Sequence, residues 1–192
     1  MRGSVEQFLE DVAHRGSWFG GGSVAALAAA LSASLLRKLT TRPAMARKLQ
    51  RIQRGCSRLV ERDAAMFARV IQATRTHNRA AFERSLKTAT EVPYQVFAYA
   101  HDIQAACRVE RRAIKPQFQS DLVCVMALSQ AAAASARALI RTNLAWLRNS
   151  AYSARMTRRL RSASRPRRAP RRQAGSPTGV PQTEGRGRPH GR

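Results

Sequence analysis

The chain has 192 residues and a formal net charge of +24, from 35 lysine and arginine residues against 11 aspartate and glutamate residues. This length suits one domain with a core and an appendage rather than several domains. No basic and then apolar leader begins the chain, which argues against a secretory signal peptide. The longest apolar stretch, from Leu122 to Ile140, is interrupted by Ser129, Gln130 and Arg137, so we expect a buried helix there and no membrane span.

The sulfur and imidazole side chains indicate a reduced protein without a metal site. Cys56, Cys107 and Cys124 are far apart and form no Cys-x-x-Cys pair. This predicts buried free thiols in a reducing, cytoplasmic compartment. The four histidines have no partner at the spacing of metal ligands, so we expect no metal site.

The first predicted element is a short helix. Ser4 and Gln7 have the spacing of a capping box, and the apolar residues after Ser4 recur at helical intervals. The predicted apolar face consists of Val5, Phe8, Leu9 and Val12.

The next segment joins three glycines to a helix of small residues. Gly20, Gly21 and Gly22 allow the backbone to approach a ligand closely, and Ser23 is a favourable N-cap for a helix that runs to about Leu39. The free N–H groups of its first turn suit an anion or an electron-rich heterocycle. Taken alone, the motif is also typical of a flexible loop before a buried helix.

A long helix is predicted after Pro43, with a seam residue every three or four positions. The seam comprises Met45, Leu49, Ile52, Cys56, Leu59, Asp63, Met66 and Val70. This heptad spacing predicts packing along a long antiparallel partner. A carboxyl group in such a seam has a cationic partner such as Arg137 or Arg141, lies at an open end of the bundle, or has a pKa raised by desolvation. The last case suits proton transfer near neutral pH.

The middle of the chain predicts helix on both sides of a proline. Phe82, Leu86 and Ala89 mark a short helix, and a second helical face ends at Cys107. Pro93 lies between them and is expected to break the helix or to start a new one.

The last core helix is predicted from Ser120 and Asp121 to about Leu147. At the start of a helix, N-capping is the ordinary role of a serine or an aspartate. Arg137 interrupts a small, apolar face of this helix, which indicates a buried acidic partner, an anion site or a solvent-facing position.

These patterns predict an all-α antiparallel bundle with a basic tail. We assign residues 1–156 to the helical domain and residues 157–192 to a disordered tail rich in arginine, proline and glycine. From residue 151 onward the chain has twelve arginines and one acid, Glu184. The tail has no apolar period and therefore cannot bury enough surface to offset its ordering entropy.

Six short segments of the chain stand in the same order as the corresponding segments of a known family. They are Ser-Val-Glu-Gln-Phe-Leu (4–9), Gly-Gly-Gly-Ser-Val-Ala-Ala-Leu (20–27), Asp-Ala-Ala-Met-Phe (63–67), Glu-Val-Pro (91–93), Ser-Asp (120–121) and Asn-Leu (143–144). In these segments the chain resembles the cyclodeaminase/cyclohydrolase family, which includes the cyclodeaminase domain of formiminotransferase-cyclodeaminase and bacterial methenyltetrahydrofolate cyclohydrolases. The resemblance covers roughly residues 4–150.

The resemblance implies an all-helical homodimer that performs one-carbon chemistry on tetrahydrofolate, as a methenyltetrahydrofolate cyclohydrolase or a formimidoyltetrahydrofolate cyclodeaminase. It implies Asp63 as the catalytic acid or base. No metal or other cofactor is expected, because the folate carbon is already electrophilic. The substrate-binding residues that it implies are Gly20, Gly21, Gly22, Ser23, Ser120, Asp121 and Asn143.

Two alternatives stay open at this point. Phe19 stands where the family usually has proline, and Ile114 and Lys115 stand where it usually has Gly-Asn, so a catalytically degraded family member is one alternative. A basic nucleic-acid-binding protein is the other, because the arginines of the tail would neutralise phosphates. The tail lacks interleaved aromatic residues for base stacking, and we therefore favour the folate reaction.

Overall fold

The structure, a computed structural model, describes residues 4–165. This part of the chain forms α1 (Val5–Ala13), α2 (Gly21–Leu39), α3 (Pro43–Arg75), α4 (Arg79–Glu110), α5 (Gln119–Leu147) and α6 (Ser150–Ser164), with a short 3-10 turn at Pro116–Phe118. Helices α2 to α5 follow one another through short connections, and α2 also packs against α5. The predicted all-α antiparallel bundle is confirmed.

The heptad seam of α3 lies in the core, as its spacing predicts. Leu49, Ile52, Cys56 and Leu59 are buried, and burial raises the pKa of the Cys56 thiol to about 12. Cys107 is also buried, but Cys124 is exposed. The expectation of three buried thiols is wrong for Cys124, because its side of α5 has no neighbouring helix in the bundle.

The first helix keeps only half of the predicted capping box. The hydroxyl of Ser4 accepts a hydrogen bond from the backbone N–H of Gln7 at 3.1 Å, but the Gln7 amide donates to Asp11. Phe8 is buried and meets the ring of Phe19 edge-on, with 5.7 Å between centroids. Phe19, a departure from the family pattern, therefore packs α1 against the bundle.

Pro93 does not break the fourth helix, which corrects the sequence-based prediction. Helix α4 continues from Arg79 to Glu110 with Pro93 inside it. Proline removes one N–H donor and costs an isolated helix about 3 kcal/mol. Here Leu86 and Val96 are buried on either side of it, and this packing offsets a penalty that local pattern rules treat as decisive.

Two of the helices are long and apolar enough to cross a membrane by length and composition. These are Gly21–Leu39 and the segment Pro116–Leu147, with mean hydropathies of 1.3 and 1.5. Core helices of soluble bundles meet the same criterion. Both segments pack against each other and against α4, as core helices do.

The sixth helix extends beyond the predicted end of the folded domain. Residues 157–164 belong to α6, so the predicted domain boundary at residue 156 is wrong. Arg159 donates to both carboxylate oxygens of Glu91 at 2.6 and 2.8 Å, and its guanidinium lies 3.8 Å from the centroid of the Tyr94 ring. This charged and aromatic contact acts together with the apolar side of α6, where Tyr152 and Met156 are buried and Leu160 packs against the core. These three residues recur every four positions, a short period that the many arginines of the segment obscure. The remainder of the predicted tail, residues 166–192, lies outside the described residues.

Replacing Arg159 should weaken the docking of α6. We expect Arg159→Gln to lower the free energy of unfolding by about 1 kcal/mol, because the pair is charge-assisted but partly exposed. Arg158→Gln is the matched control, since Arg158 is exposed on the same helix. Thermal or urea denaturation of the full chain measures the free energy of unfolding of both variants.

The effect of Arg159→Gln should depend on pH. The hydrogen bonds from Arg159 hold the pKa of Glu91 below its usual value. The pair therefore stabilises the fold above the ordinary glutamate pKa, and this stabilisation is lost as the pH falls through the lowered value. A difference between wild type and Arg159→Gln that persists unchanged in acid would contradict this assignment.

Candidate functional site

A cavity of about 210 Å³ lies at the end of the bundle where α2 begins and α5 ends. It brings together most of the residues predicted from the sequence. The lining residues are Trp18, Gly20, Gly21, Gly22, Asp63, Phe67, Val70, Leu86, Ala89, Pro93, Leu139, Thr142, Asn143 and Trp146. Asp63 is the only ionisable side chain among them.

The carboxyl group of Asp63 is held at the first turn of α2. Its Oδ2 atom lies 3.1 Å from the hydroxyl of Ser23, and the backbone N–H of Ser23 also donates to the carboxyl group. Burial raises the pKa of Asp63, and the two hydrogen bonds from Ser23 partly oppose that rise. Asp63 forms no ion pair within residues 4–165, so the expected alternative of a salt bridge to Arg137 or Arg141 is wrong.

Ser23 is not the N-cap of α2, contrary to the sequence-based prediction. The helix begins at Gly21, and its N-cap, Gly20, has no side chain to accept a hydrogen bond. Ser23 is fully buried, and its hydroxyl lies 2.9 Å from the carbonyl oxygen of Val60. Because an N-cap side chain normally accepts from the second or third helical N–H, Asp63 of α3 supplies the missing cap of α2. Ser23 therefore contacts Asp63 and does not line the cavity.

Of the three glycines, Gly22 is the one that requires the absence of a side chain. A Cβ atom at Gly22 would overlap the carboxyl group of Asp63, whereas one at Gly20 would meet nothing within 4 Å. At Gly21 the nearest atom is a methyl carbon of Leu139 at 4.0 Å. The absence of a side chain at Gly22 therefore allows α3 to approach α2 closely.

Three aromatic side chains form part of the cavity wall. Trp18, Phe67 and Trp146 are each 43–53% exposed, and the rings of Trp18 and Phe67 meet edge-on with centroids 6.2 Å apart. Sequence reasoning missed all three. A usable signal was present, because Trp18 and Trp146 are the two tryptophans of the chain and each precedes or follows a motif segment.

Other lining residues supply hydrogen-bonding groups without charge. Thr142 and Asn143 come from α5. On α4, Pro93 has no N–H, so the carbonyl oxygen of Ala89 lacks the donor that a regular helix would provide. Ala89 and Pro93 both line the cavity. A planar ligand would therefore meet amide and hydroxyl groups, a backbone acceptor and one carboxyl group.

Ser120 and Asp121 do not lie at this cavity. They belong to the first turn of α5, and Asn143 is 22 residues further along the same straight element, which corresponds to about 33 Å. The prediction that these residues share a site with Gly20 and Asn143 is therefore not met within one chain. Neither residue is the N-cap either, because that position is Phe118.

The structure also gives the surroundings of Arg137 and of two residues that depart from the family pattern, Ile114 and Lys115. Arg137 is exposed and its guanidinium lies 5.2 Å from the centroid of the Phe97 ring, so the solvent-facing interpretation holds. Ile114 is buried in the core, and Lys115 is the N-cap of the 3-10 turn. Within residues 4–165, no three histidine, cysteine, aspartate or glutamate side chains meet as a metal site.

The fold and the site together define a helical-bundle protein with one carboxyl group in an aromatic-walled cavity. A family model described as formiminotransferase-cyclodeaminase matches residues 4–162. The chain belongs to this family, and the matched region includes most of α6.

A solved structure gives the same fold. Formiminotetrahydrofolate cyclodeaminase from Thermotoga maritima aligns with a TM-score of 0.78 at 20% identity, covering 84% of this chain and 88% of that chain. A comparison with curated proteins finds no match.

A methyl group at Gly22 should disturb the site, whereas one at Gly21 should not. We expect Gly22→Ala to displace the Asp63 carboxyl group and to lower the free energy of unfolding by about 1–3 kcal/mol, as overpacking does. Gly21→Ala serves as the matched control, because a Cβ atom there meets only a methyl carbon of Leu139 at van der Waals distance. Equal denaturation midpoints for the two variants would show that α3 does not need Gly22 to approach α2.

Proposed function

We propose that this protein catalyses one-carbon chemistry on a tetrahydrofolate derivative, with Asp63 as the general acid or base. The candidate reactions are hydrolysis of 5,10-methenyltetrahydrofolate and cyclodeamination of 5-formiminotetrahydrofolate. The observation that carries the proposal is the position of Asp63 in the cavity, as its only ionisable group between aromatic walls. Family membership provides the class of substrate.

Asp63 suits either reaction because each needs one proton-transfer group. In the cyclohydrolase reaction, water adds to the cationic methenyl carbon and the carboxylate takes one of its protons. The carboxyl group then gives this proton to N5 as the bond from N5 to that carbon breaks, and the hydroxyl proton is released to solvent as the formyl carbonyl forms. In cyclodeamination, N10 attacks the formimino carbon, and the carboxyl group passes the N10 proton to the former imine nitrogen, which takes a second proton from solvent and leaves as ammonia. A carboxyl group whose pKa is raised by burial serves as acceptor or donor near neutral pH. No metal or other cofactor is part of this scheme.

The walls of the cavity match the bicyclic part of a folate. Trp18, Phe67 and Trp146 offer rings for contact with a flat heterocycle, and Asn143 and the Ala89 carbonyl offer hydrogen bonds. Sites for drug-sized ligands usually span about 300–1,000 Å³, so a cavity of about 210 Å³ would hold the ring system. The aminobenzoyl-glutamate part would extend outside the cavity.

Substitution of Asp63 tests the catalytic role. We expect Asp63→Asn to retain the fold, because the amide oxygen can still accept from Ser23, and to lower turnover about 100- to 10,000-fold. Loss of methenyltetrahydrofolate absorbance and release of ammonia from 5-formiminotetrahydrofolate are measured in parallel, and together they distinguish the two reactions. Asp11→Asn is the matched control, since Asp11 lies on α1 and does not line the cavity. Wild-type rates equal to the buffer rate with both substrates would support the degraded family member instead.

Folate binding can be tested without turnover. Both tryptophans of the chain line the cavity, so intrinsic fluorescence reports on this site. We expect saturable quenching by 5-formyltetrahydrofolate, reduced in Trp18→Phe and in Trp146→Phe. A response that follows only the optical density of the ligand, in wild type and variants alike, would exclude this cavity as a folate site.

The homodimer is also proposed, with α2 and α5 as the contact face. Val24 and Leu31 of α2 are 43% and 52% exposed, and Val123 of α5 is 69% exposed. Leu27 and Leu35 continue the apolar face of α2 at helical spacing and are half-buried. A second copy would cover this apolar surface, consistent with a soluble, cytoplasmic protein.

Light scattering tests the dimer and its contact face. We expect twice the subunit mass of 21.2 kDa for the wild type and a monomer for Leu31→Glu, because a charge in the interface would be desolvated. Leu9→Glu is the matched control, since Leu9 is 59% exposed on α1. A monomeric wild type would contradict the dimer. Dissociation by Leu9→Glu would contradict the assigned face.

A further inference from the structure

The hydroxyl group of Ser23 lies between two acceptors but has only one hydrogen to donate. Its oxygen is 2.9 Å from the carbonyl oxygen of Val60 and 3.1 Å from Oδ2 of Asp63. A serine hydroxyl donates one hydrogen bond and accepts up to two. The two contacts can therefore both be full, two-centre hydrogen bonds at once only if Asp63 carries a proton and donates it to Ser23.

We infer that Ser23 is a positioning residue for Asp63, with a hydroxyl that changes its hydrogen-bond partner when Asp63 gains or loses a proton. When Asp63 is ionised, the hydroxyl donates to its carboxylate. When Asp63 is protonated, the hydroxyl donates to the Val60 carbonyl and can accept from Asp63. The relevance of this switch to catalysis rests on the proposed function of Asp63.

The buried surroundings keep the free-energy cost of this change of hydrogen-bond partner low in both protonation states of Asp63. The Val60 carbonyl lies within α3 and has a helical donor of its own, so it does not depend on Ser23. The backbone N–H of Ser23 donates to Asp63 throughout and keeps the carboxyl group in place. Ser23 itself is fully buried, so water cannot substitute for its hydroxyl.

Within the described residues, no charged group competes with Ser23 at the cavity. The α4 wall presents Leu86 and Pro93, and the α5 wall presents Leu139, Thr142 and Asn143, all of them neutral. On α3 itself, Arg62 precedes Asp63 but is exposed. The causes that shift the pKa of Asp63 are burial and the two hydrogen bonds from Ser23. A change at Ser23 should thus be visible in the titration of this one carboxyl group.

Carboxyl-carbon NMR of the full chain labelled with ¹³C-aspartate tests the inference. The chain has four aspartates, and the resonance absent from Asp63→Asn identifies Asp63. We expect Ser23→Ala to shift the titration midpoint of Asp63 upward, because the carboxylate loses a donor. Ser23→Thr, which keeps the hydroxyl, should restore the wild-type midpoint. Ser23→Cys keeps the shape of the side chain at a slightly larger volume and has a much weaker donor, and it replaces Ser23→Ala if the latter does not fold.

Ser32→Ala is the matched control. Ser32 is also fully buried on α2 and donates to a helical carbonyl, that of Val125 at 2.8 Å, with no carboxyl group nearby. We expect it to reduce stability without moving the Asp63 midpoint. An unchanged midpoint in Ser23→Ala and Ser23→Cys, or an equal shift in Ser32→Ala, would overturn the inference.

Turnover provides a second readout that separates this inference from the proposed function. We expect Ser23→Ala to lower kcat about three- to tenfold at neutral pH, the equivalent of one hydrogen bond. The pH–rate profile should shift to higher pH by the same amount as the NMR titration midpoint of Asp63. If the midpoint shifts but no folate substrate is turned over, the pairing of Ser23 and Asp63 holds and the proposed function fails. If Asp63→Asn abolishes turnover while Ser23→Ala changes neither readout, the proposed function holds and this inference fails.

Discussion

The contact between the Asp63 carboxyl group and the first turn of α2 is the constraint on which the site depends. Helix α2 begins at Gly21, and its N-cap, Gly20, has no side chain to accept a hydrogen bond, whereas buried N–H groups need an acceptor. Asp63 provides that acceptor from α3. The need to admit its carboxyl group requires glycine at position 22 and leaves a cavity beside the contact.

Helix capping and desolvation shift the pKa of the Asp63 carboxyl group in opposite directions. Capping favours the carboxylate, because N–H and O–H donors and the helix N-terminus stabilise negative charge. Burial among Trp18, Phe67 and Leu139 favours the neutral acid. The second effect prevails, since the pKa of Asp63 is raised. The structural role of the residue thus holds it in place, while its environment brings its titration toward the range where proton transfer is useful.

One turn of α4 connects the cavity with the outermost helix. Glu91 holds Arg159 of α6, whereas Pro93, two residues later and on another side of the helix, lines the cavity. The Glu-Val-Pro segment therefore has two separate physical roles. The glutamate fixes the position of α6, and the proline shapes the wall and leaves the Ala89 carbonyl without its helical donor.

The sequence by itself determined the helical character of residues 4–147, the core seam of α3 and the exceptional position of Asp63, because periodicity and capping are properties of neighbouring residues. Gly20, Gly21, Gly22 and Asn143 could also be placed at the site, through their motif segments. The distance of Ser120 and Asp121 from Asn143 already follows from the length of the predicted last core helix. Only the tertiary structure decided that Ser23 faces Asp63, that α4 passes through Pro93 and that α6 extends to Ser164. These outcomes depend on which faces of distant helices meet, and on packing energies that offset local penalties, which no short stretch of sequence contains.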